Sequence, residues 1–300
     1  MSELTLEMNY TFTLPEKIKG ITIVCGGVGG TGGHAVAAIA RHIAAKELTD
    51  SDNNVPTLPV EMLLYDGDTV EQKNLKRQNF YRNDIGKYKA EVWAKKITNV
   101  FQIPAKAYIK YLEEASEVTK IVNDAAAKGY LPILIGGFDN PQPRKIFHDG
   151  IYAANGKAIW IDAGNNKYDG QVIVSAVNGR SLDDLERKGE TSGFFNLPTI
   201  CEIDTKTYLG PLTKTSEISC AEHTQEDPQT MDANTTAAHL IAVIVGNLIH
   251  GKGIKVNEIR FNTEATFESK SFKITASHIR NLKERHNQTI EDFKNGLITL

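Results

Sequence analysis

Residues 20–43 read GITIVCGGVGGTGGHAVAAIARHI, and the fold is decided by how this stretch is read. A β-branched run from Ile21 to Cys25 stops at glycine, the pattern of a short buried strand. From Gly33 to Glu47 the apolar positions Val36, Ile39, Ala40 and Ile43 recur at helical spacing. Between the two lies Gly27-x-Gly29-x-x-Gly32, with Gly30 added. Glycines let the chain turn tightly and approach phosphate oxygens, which the first amides of the helix then bind. The unit predicts a nucleotide-binding α/β fold. It does not say which nucleotide, and a plain glycine-rich turn would look the same.

Working outward, VEMLLYD (60–66) is a second strand, and LTDSDNNVPTLP (48–59) is a turn-rich loop before it. KYKAEVWAKKITNVF (87–101) and EEASEVTKIVNDAAAKG (113–129) read as helices, the second stopped by Gly129. LPILIGGFDN (131–140) is a strong buried strand with polar residues at its end. KAIWIDAG (157–164) and GQVIVSAV (170–177) add two more. Alternation of strand and helix predicts a doubly wound, Rossmann-like, mostly parallel sheet with helices on both faces. Late antiparallel strands are expected around VNEIRFNTE (256–264). Residues 180–230 are polar and irregular, a crossover region. DANTTAAHLIAVIVGNLIHG (232–251) is a strongly apolar helix, and Ile279, Leu282, Ile290 and Phe293 mark a helical tail. The expected division is one nucleotide-binding domain over 1–265 and the tail over 266–300.

The chain has 300 residues, 41% hydrophobic and 24% charged, with a net charge of −3. That is an average soluble composition, with no electrostatic reason to expect nucleic acid. No apolar run reaches the length of a membrane span. The first twenty residues lack a secretory pattern, and three cysteines without a CxxC argue against a disulfide framework. A reduced, cytoplasmic protein is expected.

Two further stretches carry chemistry. In LLYDGDTVEQKNLKRQ (63–78) Asp66 ends a strand, where a dinucleotide fold keeps an acid for ribose hydroxyls. Asn74, Arg77 and Gln78 follow, then Lys89. A fork donor plus a point charge suits a triphosphate, although a solvated loop with surface cations is the plainer reading. In ILIGGFDNPQPRK (133–145) Asp139 follows a buried strand, where ligands of doubly wound sheets bind. It is placed to hold Mg²⁺ beside phosphates, or to cap the helix beginning near Pro141.

Together these segments resemble the ThiF/MoeB/HesA family, bacterial relatives of ubiquitin-activating enzymes. The family pattern is GxGGxG, then D-x-D-x-V-x-x-x-N-L-x-R-Q, then G-x-x-K, then D-N-x-x-x-R. The chain fits it at Gly27, Gly29, Gly30, Gly32, Asp66, Asp68, Val70, Asn74, Leu75, Arg77, Gln78, Gly86, Lys89, Asp139, Asn140 and Arg144. Among members it looks most like the ThiF-type proteins of plasmid-borne PRTRC gene systems. The resemblance implies that 1–265 is an adenylation domain binding ATP and Mg²⁺. Asp66 would hold the ribose, Asn74, Arg77, Gln78 and Lys89 would surround the phosphates, and Asp139 would hold the metal. The implied substrate is the C-terminal carboxylate of a small ubiquitin-like or sulfur-carrier protein, and the implied assembly is a homodimer.

The chain also departs from the family. Two CxxC pairs that hold a structural zinc in many members are missing, so no zinc is expected. No arginine precedes Arg41 to reach into a neighbouring subunit; Lys17 and Lys19 are there instead, and Arg82 is another candidate. An acceptor thiol would be Cys220, three residues before His223, with Cys201 as the rival; Cys25 belongs to a strand core. His34 reads as a capping or packing residue. Two other readings stay open: adenylation of a small-molecule carboxylate, and a nucleotide-binding partner protein without turnover.

Overall fold

The computed structural model describes residues 7–53, 57–138, 141–210 and 229–298. Strand β1 (Thr11–Phe12) and β2 (Gly20–Gly26) lead into α1 (Gly30–Asp52), followed by β3 (Val60–Tyr65), α2 (Lys89–Phe101) and β4 (Ala105–Tyr108). Then come α3 (Ala115–Lys128), β5 (Tyr130–Gly136), α4 (Gln142–Ala153), β6 (Ala158–Asn165) and β7 (Asp169–Val177). The later elements are α5 (Leu182–Lys188), β8 (Ser192–Gly193), α6 (Ile200–Ile203), α7 (Thr205–Leu209), α8 (Met231–Ile249), β9 (Val256–Asn262), β10 (Glu268–Lys273) and α9 (Ala276–Lys294).

Eight strands form one sheet in the order β10-β9-β7-β6-β5-β2-β3-β4. Pairings from β4 through β6 are parallel, and those joining β6, β7, β9 and β10 are antiparallel. The late antiparallel strands expected from the sequence are therefore present. The central strands are buried on both faces, and their period-2 alternation assigns each side chain to a layer. Ile21, Ile23, Ile133, Ile135, Ile159 and Ile161 pack with Val36 and Ile39 of α1, Trp93 of α2 and Ile241 of α8. Val24, Leu134 and Trp160 face the other way, onto Val118 and Val122 of α3 and Phe147 of α4. Each such branched or aromatic side chain contributes about 1.5–3 kcal/mol by leaving water. In α9, Ile279 and Leu282 are buried in the first of these layers.

Helix α1 is longer than its periodicity indicates. It begins at Gly30, where Gly33 N–H already donates to Gly29 O (3.1 Å), and it runs through Leu48–Asp52, which read as loop. Lys46 holds Asp50 at 2.6 Å one turn on, so this polar stretch stays helical. Within 180–210 the described chain is not irregular throughout: α5 is capped by Ser181, whose side chain accepts from Asp184 N–H. Among the described residues no helix is long and apolar enough to cross a membrane.

From β2 the chain winds outward through β3 and β4, then returns to β5 on the other side of β2. The order reverses between β2 and β5, so a crevice opens beyond their carboxyl ends, the place where such sheets bind ligands.

Candidate active site

Gly27 leaves β2 with φ +86°, a left-handed turn that glycine adopts without penalty. The turn lets α1 cross closely over the strand end: a Cβ on Gly32 would stand 1.9 Å from the Gly27 carbonyl oxygen. The first turn of α1 thus carries no side chain of its own at Gly30, Gly32 and Gly33, and the helix dipole adds positive potential there. Gly137, just past β5, closes the other side; a Cβ there would be 3.3 Å from Gly32 N.

Asp66 ends β3 and is buried. One of its oxygens accepts from Val28 N–H (2.8 Å), the other from Asp68 N–H (2.9 Å). It thus props the glycine turn, and each oxygen keeps a lone pair for a further donor. Burial raises its pKa despite nearby Lys89. Asp68 behaves oppositely. Burial opposes its ionisation, but Lys89 Nζ at 2.7 Å and the Tyr111 hydroxyl, which donates to it, outweigh burial and hold the carboxyl below its ordinary value. Lys89 opens α2 and is itself buried. Its ammonium has three donors, and the Asp68 bond uses one of them.

A short 3-10 helix, Gln72–Lys76, follows Asp68. Asn74 is buried in it and accepts Glu71 N–H (2.8 Å) through its side chain. Arg77 ends the turn, half-buried, and has no carboxylate partner among the described residues. Gln78 reaches over the glycine turn, its Nε2 lying 3.5 Å from where a Cβ on Gly29 would be, and its buried Oε1 has no partner. His34 of α1 meets the Arg77 backbone; burial lowers its pKa, and its buried Nε2 also lacks a partner. Unpartnered buried polar atoms of Gln78 and His34 beside a bare helix start suit a polyanion, and Arg77 is the neighbour of Gln78 in the chain.

Asp139, Asn140, Cys220 and His223 lie outside the described residues. Among the described residues no cluster of three potential metal ligands occurs, and Asp66 and Asp68 are engaged as above. The magnesium expected on Asp139 stays an expectation, and no step below runs through it. Cys201 is fully buried, and burial pushes its thiol well up, as it does for Cys25; neither is a poised thiolate.

The contacts of two groups were not readable from the sequence. Arg144 donates to Asp162 (2.8 Å) and to Phe138 O (2.9 Å), which pins the end of β5 to β6. Thr31, Asn165 and Asn234 meet at the first turn of α1: the Thr31 hydroxyl lies 3.1 Å from Asn234 Oδ1 and 3.2 Å from Asn165 Oδ1, with one proton to share between them, and Asn165 Nδ2 donates to Asn234 Oδ1 (2.8 Å).

The sequence model of the ThiF family matches residues 11–290. Comparison with curated proteins returns no match. Among solved structures, E. coli MccB with MccA-N7isoAsn superposes with a TM-score of 0.53 at 18% identity, over 87% of this chain and 66% of that one. E. coli MccB with ATP gives 0.52 at 18% identity, over 87% and 65%. PaaA gives 0.51 at 15% identity, over 86% and 65%. The chain thus spans just under two thirds of the length of these structures, and at such identity the likeness is one of fold.

Proposed function

The chain belongs to the ThiF family, and from that premise we propose that it binds ATP in the β2–β5 crevice and adenylates the C-terminal carboxylate of a peptide or small protein. What supports this reading is that the glycine turn is tied to Asp66 through Val28 N–H, that Gln78 lies over Gly29, and that Lys89 is paired with Asp68 two residues from Asp66. In the proposed site the glycine turn supplies amides, Arg77 a guanidinium with no carboxylate partner among the described residues, and Lys89 an ammonium with donors to spare. An oxidoreductase would use the turn and Asp66 but has no need of the two cations.

A substrate carboxylate oxygen attacks the α-phosphorus in line. An acyl O–P bond forms, the bond from the α-phosphorus to the bridging oxygen breaks, and pyrophosphate leaves with the electron pair. Negative charge moves toward the leaving group during the step, and donors already fixed in place stabilise it without reorganising. Arg77 and Lys89 serve there, Gln78 and the α1 amides hold the α-phosphate, and Asp66 orients the ribose. Magnesium on Asp139, a homodimer and a cytoplasmic location complete the proposal. The finer target is a small ubiquitin-like or sulfur-carrier protein, with Cys220 as a later acyl acceptor. A peptide acid is the second reading, because the MccB neighbours were crystallised with MccA.

ATP–pyrophosphate exchange tests this. Exchange should depend on a peptide or small protein with a free C-terminus, offered as the products of short reading frames beside this gene. ATP binding with no exchange for any acid offered would leave a nucleotide-binding protein without turnover.

A further inference from the structure

The cations of the site come from the β3 side of the sheet; the Thr31–Asn165–Asn234 cluster comes from the β6 side. Asn234 lies in the first turn of α8 and is 1% exposed. With its Oδ1 accepting from Asn165 Nδ2 and facing the Thr31 hydroxyl, the amide turns its nitrogen the other way. Its Nδ2 is thereby directed at Gly30, where a Cβ would sit 2.7 Å away. Among the described residues this nitrogen has no acceptor. An N–H at the bare start of a helix with no protein acceptor can donate to a ligand there. Gly30 supplies the opening, since any side chain there would block the amide.

The ligand class follows from the donor. Phosphate charge already has Arg77 and Lys89. A carboxylate about to lose its charge to an anhydride is served poorly by a cation, which would stabilise the ground state as an ion pair. A neutral amide orients the carboxylate while giving up little as its charge leaves.

Resting on the adenylation reading above, we propose that Asn234 is a catalytic residue on the acyl side of this site. Its Nδ2 donates to the carboxylate oxygen that does not attack, the one that becomes the anhydride carbonyl. Thr31 and Asn165 are positioning residues that fix the direction of that N–H. The attacking oxygen bonds to phosphorus, pyrophosphate departs with the electron pair, and no proton moves.

The acyl substrate being unidentified, the probe is 5′-O-(N-glycylsulfamoyl)adenosine, a stable mimic of glycyl-adenylate, titrated beside AMP and AMPCPP. Wild type should bind the mimic more tightly than AMP. Asn234→Ala should weaken the mimic by about tenfold or more and leave AMP and AMPCPP within about twofold. Thr31→Val should weaken the mimic in the same selective way, and Thr31→Ser, which keeps the hydroxyl, should restore it. A preference for the mimic that survives Asn234→Ala, or a loss shared equally with AMP, overturns the assignment. A wild type that shows no preference for the mimic overturns the adenylation reading, and this assignment with it.

Discussion

Gly32→Ala exchanges one hydrogen for a methyl where α1 crosses the end of β2. The new Cβ would stand 1.9 Å from the Gly27 carbonyl oxygen and 3.0 Å from its carbon. Both are backbone atoms, so no side chain can rotate away to make room. Real Cβ atoms essentially never come within 3.0 Å of a neighbour, so helix and turn must part by at least about 1.1 Å. Overpacking of this kind costs about 1–3 kcal/mol, and in a chain of this size each kcal/mol lowers Tm by roughly 2–4 °C. The larger effect is on the site, because the displaced amides are those proposed to hold the phosphates. A shift of ~1 Å in groups that position reactants costs on the order of 100-fold. Calorimetric melting and ATP titration read both quantities on one sample. Gly27→Ala is the comparison: its nearest atom is 3.9 Å away, so only left-handed backbone strain of about 1–2 kcal/mol remains. Gly32→Ala should lose ATP affinity far more than Gly27→Ala. If it melts with wild type and binds ATP equally well, the close crossing does not build the site.

Arg77→Ala should leave Tm unchanged, since the side chain has no acidic partner among the described residues, while exchange falls by on the order of 100-fold or more. Lys89→Met should lose exchange and also roughly 1–3 kcal/mol of stability, because the largely covered Asp68 is left without its cation; Asp68→Asn in the same chain should recover part of it. An Lys89→Met protein as stable as wild type would mean the pair is loose. His34, His42, His148, His278 and His286 are all held below the ordinary 6.5, burial being the first cause in each. The unfolded chain then takes up protons near 6.5 that the folded chain refuses. This stability is present above 6.5 and lost as pH falls through the folded values. Tm should drop between about pH 7 and 5, with a shallower slope in His148→Gln; a flat profile would contradict the burial effect. Cys25 and Cys201 should resist Ellman's reagent until the protein unfolds, and rapid labelling of either would show an opening that the fold does not display.

The central sheet was legible because its strands are buried on both faces, which leaves short apolar runs such as Ile21–Cys25 and Leu131–Ile135. β4 and β10 left no such trace. They are the sheet's edges: AKAY is only four residues long and half-buried, and ESKSFK is largely exposed with no apolar set to read. The polar far end of α1 was missed because the Lys46–Asp50 pair, rather than a hydrophobic stripe, supports it. In the site, Asp66 to Lys89 was readable as a pattern, but not the fact that Lys89 arrives already paired with Asp68. Asn165 and Asn234 are 69 positions apart and meet only because β6 ends where α8 begins. Asp162 did carry a signal: a carboxylate inside the apolar strand KAIWIDAG calls for a buried cation, and Arg144 supplies it.

A crystal structure with AMPCPP tests the central claim most directly. The triphosphate should lie across the Gly27–Gly32 turn, the ribose on Asp66, and the Arg77 and Lys89 side chains within hydrogen-bonding reach of phosphate oxygens. A nucleotide bound away from the β2–β5 crevice, or bound there with Arg77 and Lys89 both turned from its phosphates, would contradict the account.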